Sequence, residues 1–233
     1  MQQHILTTRT GRPRNADREL RDSETVRTAC ALFIAHGYNG VSLKTIAAEA
    51  RIAVRTIYLR FGGKLGLFQA VIAAEREQML AGLPDFPPGA RPLETVLGEI
   101  CLRYLNLVNS DRALAILRMV IAEAGQSPEL GQAFYDAGPG AMRAHLTAMF
   151  SHPALRSRFR PELPPALLTG LLLACLLDDP TLRLLRQLPT QAPQEQVRKA
   201  LDAFFAATRH VEPPLTPIGS VDTSHACNQF YKY

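Results

Sequence analysis

The sequence predicts an all-α protein, and three observations lead there. No stretch alternates apolar and polar residues over the roughly four to eight positions of a half-buried strand. Apolar residues recur instead at i, i+3, i+4, i+7, the spacing of one helix face. The 17 prolines fall mostly in clusters between these stretches, as expected for a residue that lacks a donor and clashes inside a helix. The clusters Pro84/Pro87/Pro88/Pro92, Pro161/Pro164/Pro165, Pro189/Pro193 and Pro213/Pro214/Pro217 mark loops.

The first helix is expected to begin near Asp22 or Ser23 as N-cap, with Val26, Ala29, Cys30 and Phe33 as its apolar stripe. Gly37 ends it, because glycine reaches the left-handed conformation that closes a helix, and Tyr38-Asn39-Gly40 turns the chain. Ser42 caps a second helix of about two turns, with Leu43, Ile46, Ala47 and Ala50 on one face. After a break at Arg51-Ile52 a third helix carries Val54, Ile57, Tyr58 and Phe61, leaving Arg55, Thr56 and Arg60 on other faces. Two short helices joined by a tight turn, packed by a third, make a helix-turn-helix whose second helix is shaped for a major groove. The small Ala47 suits the close helix crossing. A plain three-helix bundle has the same local pattern.

Composition narrows the function classes. A chain of 233 residues, 47% hydrophobic and 20% charged, holds one large or two small domains and is too apolar to be natively disordered. The longest apolar run, Leu167 to Leu177, contains Thr169 and Gly170 and closes on Asp178-Asp179. It falls short of the roughly 20 residues a membrane crossing needs. The N-terminal Met1 to Leu6 leads into Thr and Arg rather than a signal-peptide core, so the expected compartment is the cytoplasm, with no membrane partner.

Cys30, Cys101, Cys175 and Cys227 stand singly; the first three read as small apolar core residues. His36, His145, His152 and His210 lie far apart, and His225-x-Cys227 sits in a weakly patterned tail, so neither a metal nor a cofactor is expected. No Ser/His/Asp, Cys/His or phosphate-loop arrangement suggests an enzyme.

Charge is distributed unevenly. Residues 1–80 carry 12 Lys and Arg against 7 Asp and Glu, and residues 81–233 carry 14 against 14, so the first third holds the whole net charge of +5. That asymmetry points to a nucleic acid or another acidic surface as partner of the first third, with a solvated arginine face as the plainer reading.

The run from Ser42 to Ala50, the run from Arg51 to Lys64, and Leu67-Phe68 resemble the DNA-binding signature of TetR-type transcriptional regulators. The match spans roughly Ser23 to Val71, with Ala29, Phe33, Gly37, Ile46-Ala47, Thr56-x-Tyr58, Phe61 and Lys64 in register. The resemblance implies a homodimer with an N-terminal helix-turn-helix and a larger C-terminal ligand-binding and dimerisation domain. Such a protein acts as a repressor that a small apolar or amphipathic effector releases from a palindromic double-stranded DNA operator. It divides the chain into a basic arm at 1–21, a DNA-binding domain at 22–66, a helical regulatory and dimerisation domain at 67–211 and a tail at 212–233. By position it places Ser42, Lys44 and Lys64 at phosphates, Val54, Arg55 and Thr56 at base edges, and Tyr58 on the DNA backbone. Tyr58 also fits the apolar stripe, and Lys44 fits a solvated face. Ahead of these, Arg9-Thr10-Gly11-Arg12-Pro13-Arg14 resembles arms that put arginine into a minor groove, through Arg12 and Arg14.

Four positions depart from the family pattern. Arg51 stands where glycine is usual, and a left-handed non-glycine residue costs about 1–2 kcal/mol, so the turn is open to change. Ala53 replaces the usual hydroxyl residue and leaves the third helix without its side-chain cap, a loss of roughly 1 kcal/mol. Val54-Arg55 replaces lysine-glycine, putting a guanidinium where it reads guanine O6/N7 or holds a phosphate.

Farther along, helices are expected at about 92–109, 111–124, 128–150 with a break near Gly138-Pro139-Gly140, 164–179 and 194–210. Ser110-Asp111 and Ser127-Pro128-Glu129 are helix starts. The helix from Pro165 is apolar nearly all round, too apolar for the surface of a monomer. Leu168, Leu172, Cys175 and Leu176 are therefore paired with Val197, Leu201, Phe204 and Phe205 as a dimer interface, with burial inside one subunit as the alternative. A ligand pocket is expected among Cys101, Tyr104, Leu105, Met119, Phe134 and Met142, residues that at helical spacing also suit a plain core. The segment Leu117 to Ala124 with Phe134-Tyr135 also resembles the regulatory domains of one TetR subgroup. The competing function is a DNA-binding dimer, architectural or constitutive, that senses nothing.

Overall fold

The computed structural model describes residues 15–82, 91–177 and 192–209, and among them it contains helices and no strand. One antiparallel bridge joins Phe159 to Arg209. The helices are α1 (Asn15–His36), α2 (Leu43–Glu49), α3 (Val54–Phe61), α4 (Lys64–Leu80), α5 (Leu93–Val108), α6 (Asp111–Glu123), α7 (Pro128–Tyr135), α8 (Ala141–Ser151), α9 (Pro153–Arg156), α10 (Pro165–Leu176) and α11 (Pro193–Thr208).

Helix α1 starts seven residues before the expected cap at Asp22 or Ser23. Ala16, Glu19, Leu20 and Arg21 are good helix formers, and Asp17 in the first turn suits the positive end of the helix. Ser23 instead bonds back to the Glu19 carbonyl at 3.0 Å, a mid-helix contact, and Asp22 pairs with Arg60 of α3. Residues 15–21, expected in the basic arm, are therefore helical; the rest of that arm, with Arg12 and Arg14, lies outside the described residues, as does the tail at 212–233.

Helix α4 was absent from the sequence expectations, and it runs unbroken through position 66, where the domain boundary was expected. At 128–150 the expected break is a π-helical turn, Asp136–Gly140, with Pro139 inside it, joining α7 to α8. Proline has no N–H to offer its turn, and a single wider turn absorbs that loss. The short α9 had no counterpart in the expectations; the remaining C-terminal helices fall within two residues of expectation where described, and 178–179 lie outside the described residues.

Among the described residues two apolar cores form. One gathers Phe33, Ile46, Ile57, Leu67, Phe68 and Val71 from α1 to α4, and it continues into Ile116, Met119, Val120, Leu130 and Ala133 of α6 and α7. The head is therefore built against the body rather than suspended from it. The other core joins α5, α8, α10 and α11 around Phe150, Phe159, Phe204 and Phe205, whose ring centroids lie 5.4–6.5 Å apart.

That second core corrects the expected dimer interface. Leu168, Leu172, Leu176, Val197, Phe204 and Phe205 are at most 8% exposed within one chain, so they face the chain's own interior. Leu201 is half-buried and Cys175 is exposed, which also removes Cys175 from the core. A helix apolar all round buries one face inside and leaves another outside. On α10 the outer stripe is Ala166, Leu167, Gly170, Leu171, Ala174 and Cys175, with Leu167 at 45% exposure.

Candidate nucleic-acid interface and regulatory cavity

The helix-turn-helix is assembled from its buried stripe. Ile46, Ala47 and Ile57 are at most 3% exposed and hold α2 against α3. Ser42 caps α2, its Oγ accepting the Thr45 N–H at 3.1 Å. The turn between the helices is a Schellman motif: the Ile52 N–H donates to the Ala47 carbonyl at 2.9 Å and the Arg51 N–H to the Ala48 carbonyl at 3.2 Å. Arg51 occupies its left-handed position with φ 54°, so the turn keeps its shape and the arginine bears the strain. Among the described residues it is the one non-glycine with positive φ. Ala53, at the N-cap of α3, makes no side-chain cap bond, as its side chain dictates.

Outward from this frame, Ser42, Lys44 and Arg55 are exposed, while Val54, Thr56 and Lys64 are half-exposed. Tyr58 is 58% exposed, which settles its two readings against the core. Leu59 beside it is 73% exposed, a position the sequence analysis passed over although it lies off the apolar stripe. Lys64 is turned inward, its Nζ 4.4 Å from the centre of the Tyr38 ring. Burial pushes its pKa down, and Glu123 partly opposes that.

The head is fastened to the body through α6. After the left-handed Gly37 (φ 77°), the successive N–H groups of Tyr38 and Asn39 converge and donate to Glu123 Oε1 and Oε2, at 3.0 and 2.7 Å. Adjacent backbone donors after such a turn form a concavity for an anion. Ser127 donates to Asn39 Oδ1 at 3.3 Å nearby. Arg112 of α6 pairs with Glu75 of α4 at 2.7 Å, and Arg76 of α4 donates to the Ala137 carbonyl in the π-helical turn.

Between these helices lies a cavity of about 270 Å³ with largely apolar walls. Of the residues expected around a pocket, Tyr104, Phe134 and Met142 line it. Cys101, Leu105 and Met119 do not: Cys101 and Leu105 belong to the α5/α8/α10/α11 core, and Met119 to the head core. Burial pushes the Cys101 thiol up to about 12, so it stays protonated and packs as an apolar group. Ile72, Glu75 and Arg76 of α4 also line the cavity, as do Ala113, Leu114 and Leu117 of α6. The α4 residues escaped because that helix was not expected; the α6 residues sit on an expected helix, whose spacing alone does not tell a cavity wall from plain core. The cavity and the head therefore share two helices.

Helices in this order, with an exposed second helix of a helix-turn-helix on a basic head and a helical body behind, define a DNA-binding transcriptional regulator. The comparisons identify the family. Residues 26–71 match the model described as bacterial regulatory proteins, tetR family, and residues 95–209 match the C-terminal domain of AefR-like transcriptional repressors. The chain belongs to the TetR family, whose members are regulators and not enzymes.

Among characterised relatives it is similar to the HTH-type transcriptional regulator TcmR of Streptomyces glaucescens, 31% identical over 110 residues. That match covers 44% of this chain and 48% of TcmR, so the chain spans about half the length of this relative. Among solved structures it is similar to a TetR-family regulator from Mesorhizobium loti, with 25% identity and a TM-score of 0.66, covering 85% of this chain and 100% of the other. The flavonoid-responsive regulator FrrA matches with 23% identity and a TM-score of 0.65, over 83% of this chain and 100% of FrrA. This second likeness shows the fold alone. Among the described residues no helix is long and apolar enough to cross a membrane.

Proposed function

We propose that the chain is a homodimeric repressor acting in the cytoplasm, released from a palindromic operator when a small apolar effector fills the cavity between α4 and α6. The observation that carries this reading is that α4 and α6 line the cavity and also hold the head. Ile72 and Arg76 of α4 and Leu114 and Leu117 of α6 face the cavity, while Glu123 at the far end of α6 binds the turn ahead of α2. A ligand that fits better when these helices are displaced shifts the population toward heads mis-spaced for two half-sites; only such differential affinity moves the equilibrium.

On the DNA, Arg55, Val54 and Thr56 meet base edges and the exposed Leu59 meets a thymine methyl. Ser42, Lys44, Tyr58 and Lys64 meet the phosphate backbone, and Arg12 and Arg14 enter the minor groove. Lys64 leaves the Tyr38 ring to do so. Dimerisation uses the outer stripe of α10 around Leu167, Leu171 and Ala174, the apolar surface that a single chain leaves open.

The test is selection of binding sites from a random duplex pool by the full chain at near-physiological salt. A recovered palindrome with half-sites one helical turn or a multiple apart is expected. Unpatterned or merely A·T-rich DNA would replace this reading with an architectural binder, and recovery of no DNA would end it.

A further inference from the structure

The chemistry of the cavity walls narrows what fills it. An apolar cavity of about 150 Å³ accepts a benzene ring, so about 270 Å³ suits a molecule of two fused or linked rings. Phe134, Tyr104 and Met142 supply aromatic and thioether surface to its walls. Among the described residues two charged side chains reach the cavity, and both already have partners. Glu75 is held by Arg112 at 2.7 Å, and Arg76 donates to the Ala137 carbonyl and lies 3.9 Å from Glu77. A charged ligand would lose its hydration without finding an unengaged counter-charge.

The exception among the polar groups is Tyr104. Its side chain is 7% exposed and lines the cavity, and its hydroxyl has no hydrogen-bond partner among the described residues. Burial raises its pKa, with the exposed Arg143 opposing, which keeps the hydroxyl neutral and able both to donate and to accept. The hydroxyl oxygen stays open to the cavity, where a ligand group can take the place of water as its partner.

From these walls we infer that the effector is an uncharged two-ring aromatic molecule carrying a hydroxyl or carbonyl group that pairs with the Tyr104 hydroxyl. The inference rests on the cavity being the effector site and specifies its ligand class. It selects on charge first, on the single polar group second, and on size throughout.

The test uses three matched probes, 2-naphthol, naphthalene and 2-naphthoate, titrated into the full-length protein and followed by the probes' own fluorescence. The chain has no tryptophan to interfere. 2-Naphthol is expected to bind about fivefold tighter than naphthalene, the value of one net hydrogen bond, and about tenfold or more tighter than 2-naphthoate. Tyr104→Phe should remove the preference for naphthol over naphthalene and leave naphthalene binding in place. The ranking in the unaltered protein is decisive even where the variant does not fold. Tightest binding by 2-naphthoate, or equal binding of naphthol and naphthalene, overturns the inference while leaving the cavity as the effector site. Binding by none of the three overturns both readings.

Discussion

Removing the Glu123 carboxylate should loosen the DNA-binding head from the body by an amount the geometry sets. Its two oxygens accept the N–H groups of Tyr38 and Asn39 at 3.0 and 2.7 Å. A hydrogen bond to a charged group contributes about 1.5–3 kcal/mol when sheltered from water. The Tyr38 contact is partly buried and retains about 2 kcal/mol of this, whereas Asn39 is exposed, so water replaces most of the second bond, leaving about 0.5 kcal/mol. Glu123→Ala is therefore expected to cost about 2–3 kcal/mol, or about 5–10 °C in Tm for a chain of this length, measured at fixed protein concentration. Glu123→Gln, which keeps one acceptor oxygen and turns an amide toward the other N–H, should fall between the two. Hydrogen exchange gives the local readout: the Tyr38 amide should exchange faster in Glu123→Ala while amides in the α5/α8/α10/α11 core shift only with global stability. A Cβ on Gly37 would lie 2.4 Å from Glu123 Oε1, so Gly37→Ala disrupts the same contact besides straining a left-handed backbone. The double variant should then lose less than the sum of the singles. Unchanged Tyr38 exchange in Glu123→Ala, or strictly additive losses in the double variant, would refute the reasoning.

Three further outcomes follow from the same geometry. Arg51→Gly should stabilise the protein by about 0.5–1 kcal/mol, because relief of the left-handed strain exceeds the added freedom of the unfolded chain; thermal melts giving the same gain for Arg51→Ala would show that strain is not the cause. Ala53→Ser should add about 1 kcal/mol by capping α3, since the residue already has the extended φ −75°, ψ 143° of an N-cap; a denaturation midpoint equal to the parent's would contradict this. Leu167→Glu with Ala174→Glu should convert the proposed dimer to a folded monomer in sedimentation, both positions being exposed within a single chain, and an unchanged dimer mass with intact helicity would move the interface elsewhere.

Much of the head could be read from local pattern. Caps, left-handed glycines and stripes of i, i+3, i+4, i+7 are short-range properties, so Ser42, Gly37 and the Ile46/Ala47/Ile57 contact fall where the periodicity puts them. Asp22 and Ser23 misled for the same reason: they are good capping residues, but most of the residues before them, Ala16 and Arg18 to Arg21, are good helix formers, and a helix is limited by what extends it as much as by what can cap it. Helix α4 escaped notice although Leu67, Phe68, Val71, Ile72 and Met79 share one face, because Ala70, Ala73 and Ala74 put apolar residues on the other faces and blur the contrast. One side of the cavity went with it, since Ile72, Glu75 and Arg76 belong to that helix, whereas Tyr104, Phe134 and Met142 were expected around a pocket.

The identity of the fold and of its DNA-facing helix was present in the chain's own order of residues, because both depend on spacings within a few turns. Which side of α10 turns inward was not. With leucines on every side, Leu167 and Leu168 are equivalent in sequence, yet one is 45% exposed and the other fully buried. Packing against α8 and α11 makes that choice. The link between Glu123 and Tyr38 likewise joins residues 85 positions apart. No local propensity encodes such a contact; it exists because two cores, formed by distant segments, bring a carboxylate to a pair of backbone donors that folding would otherwise leave without a partner.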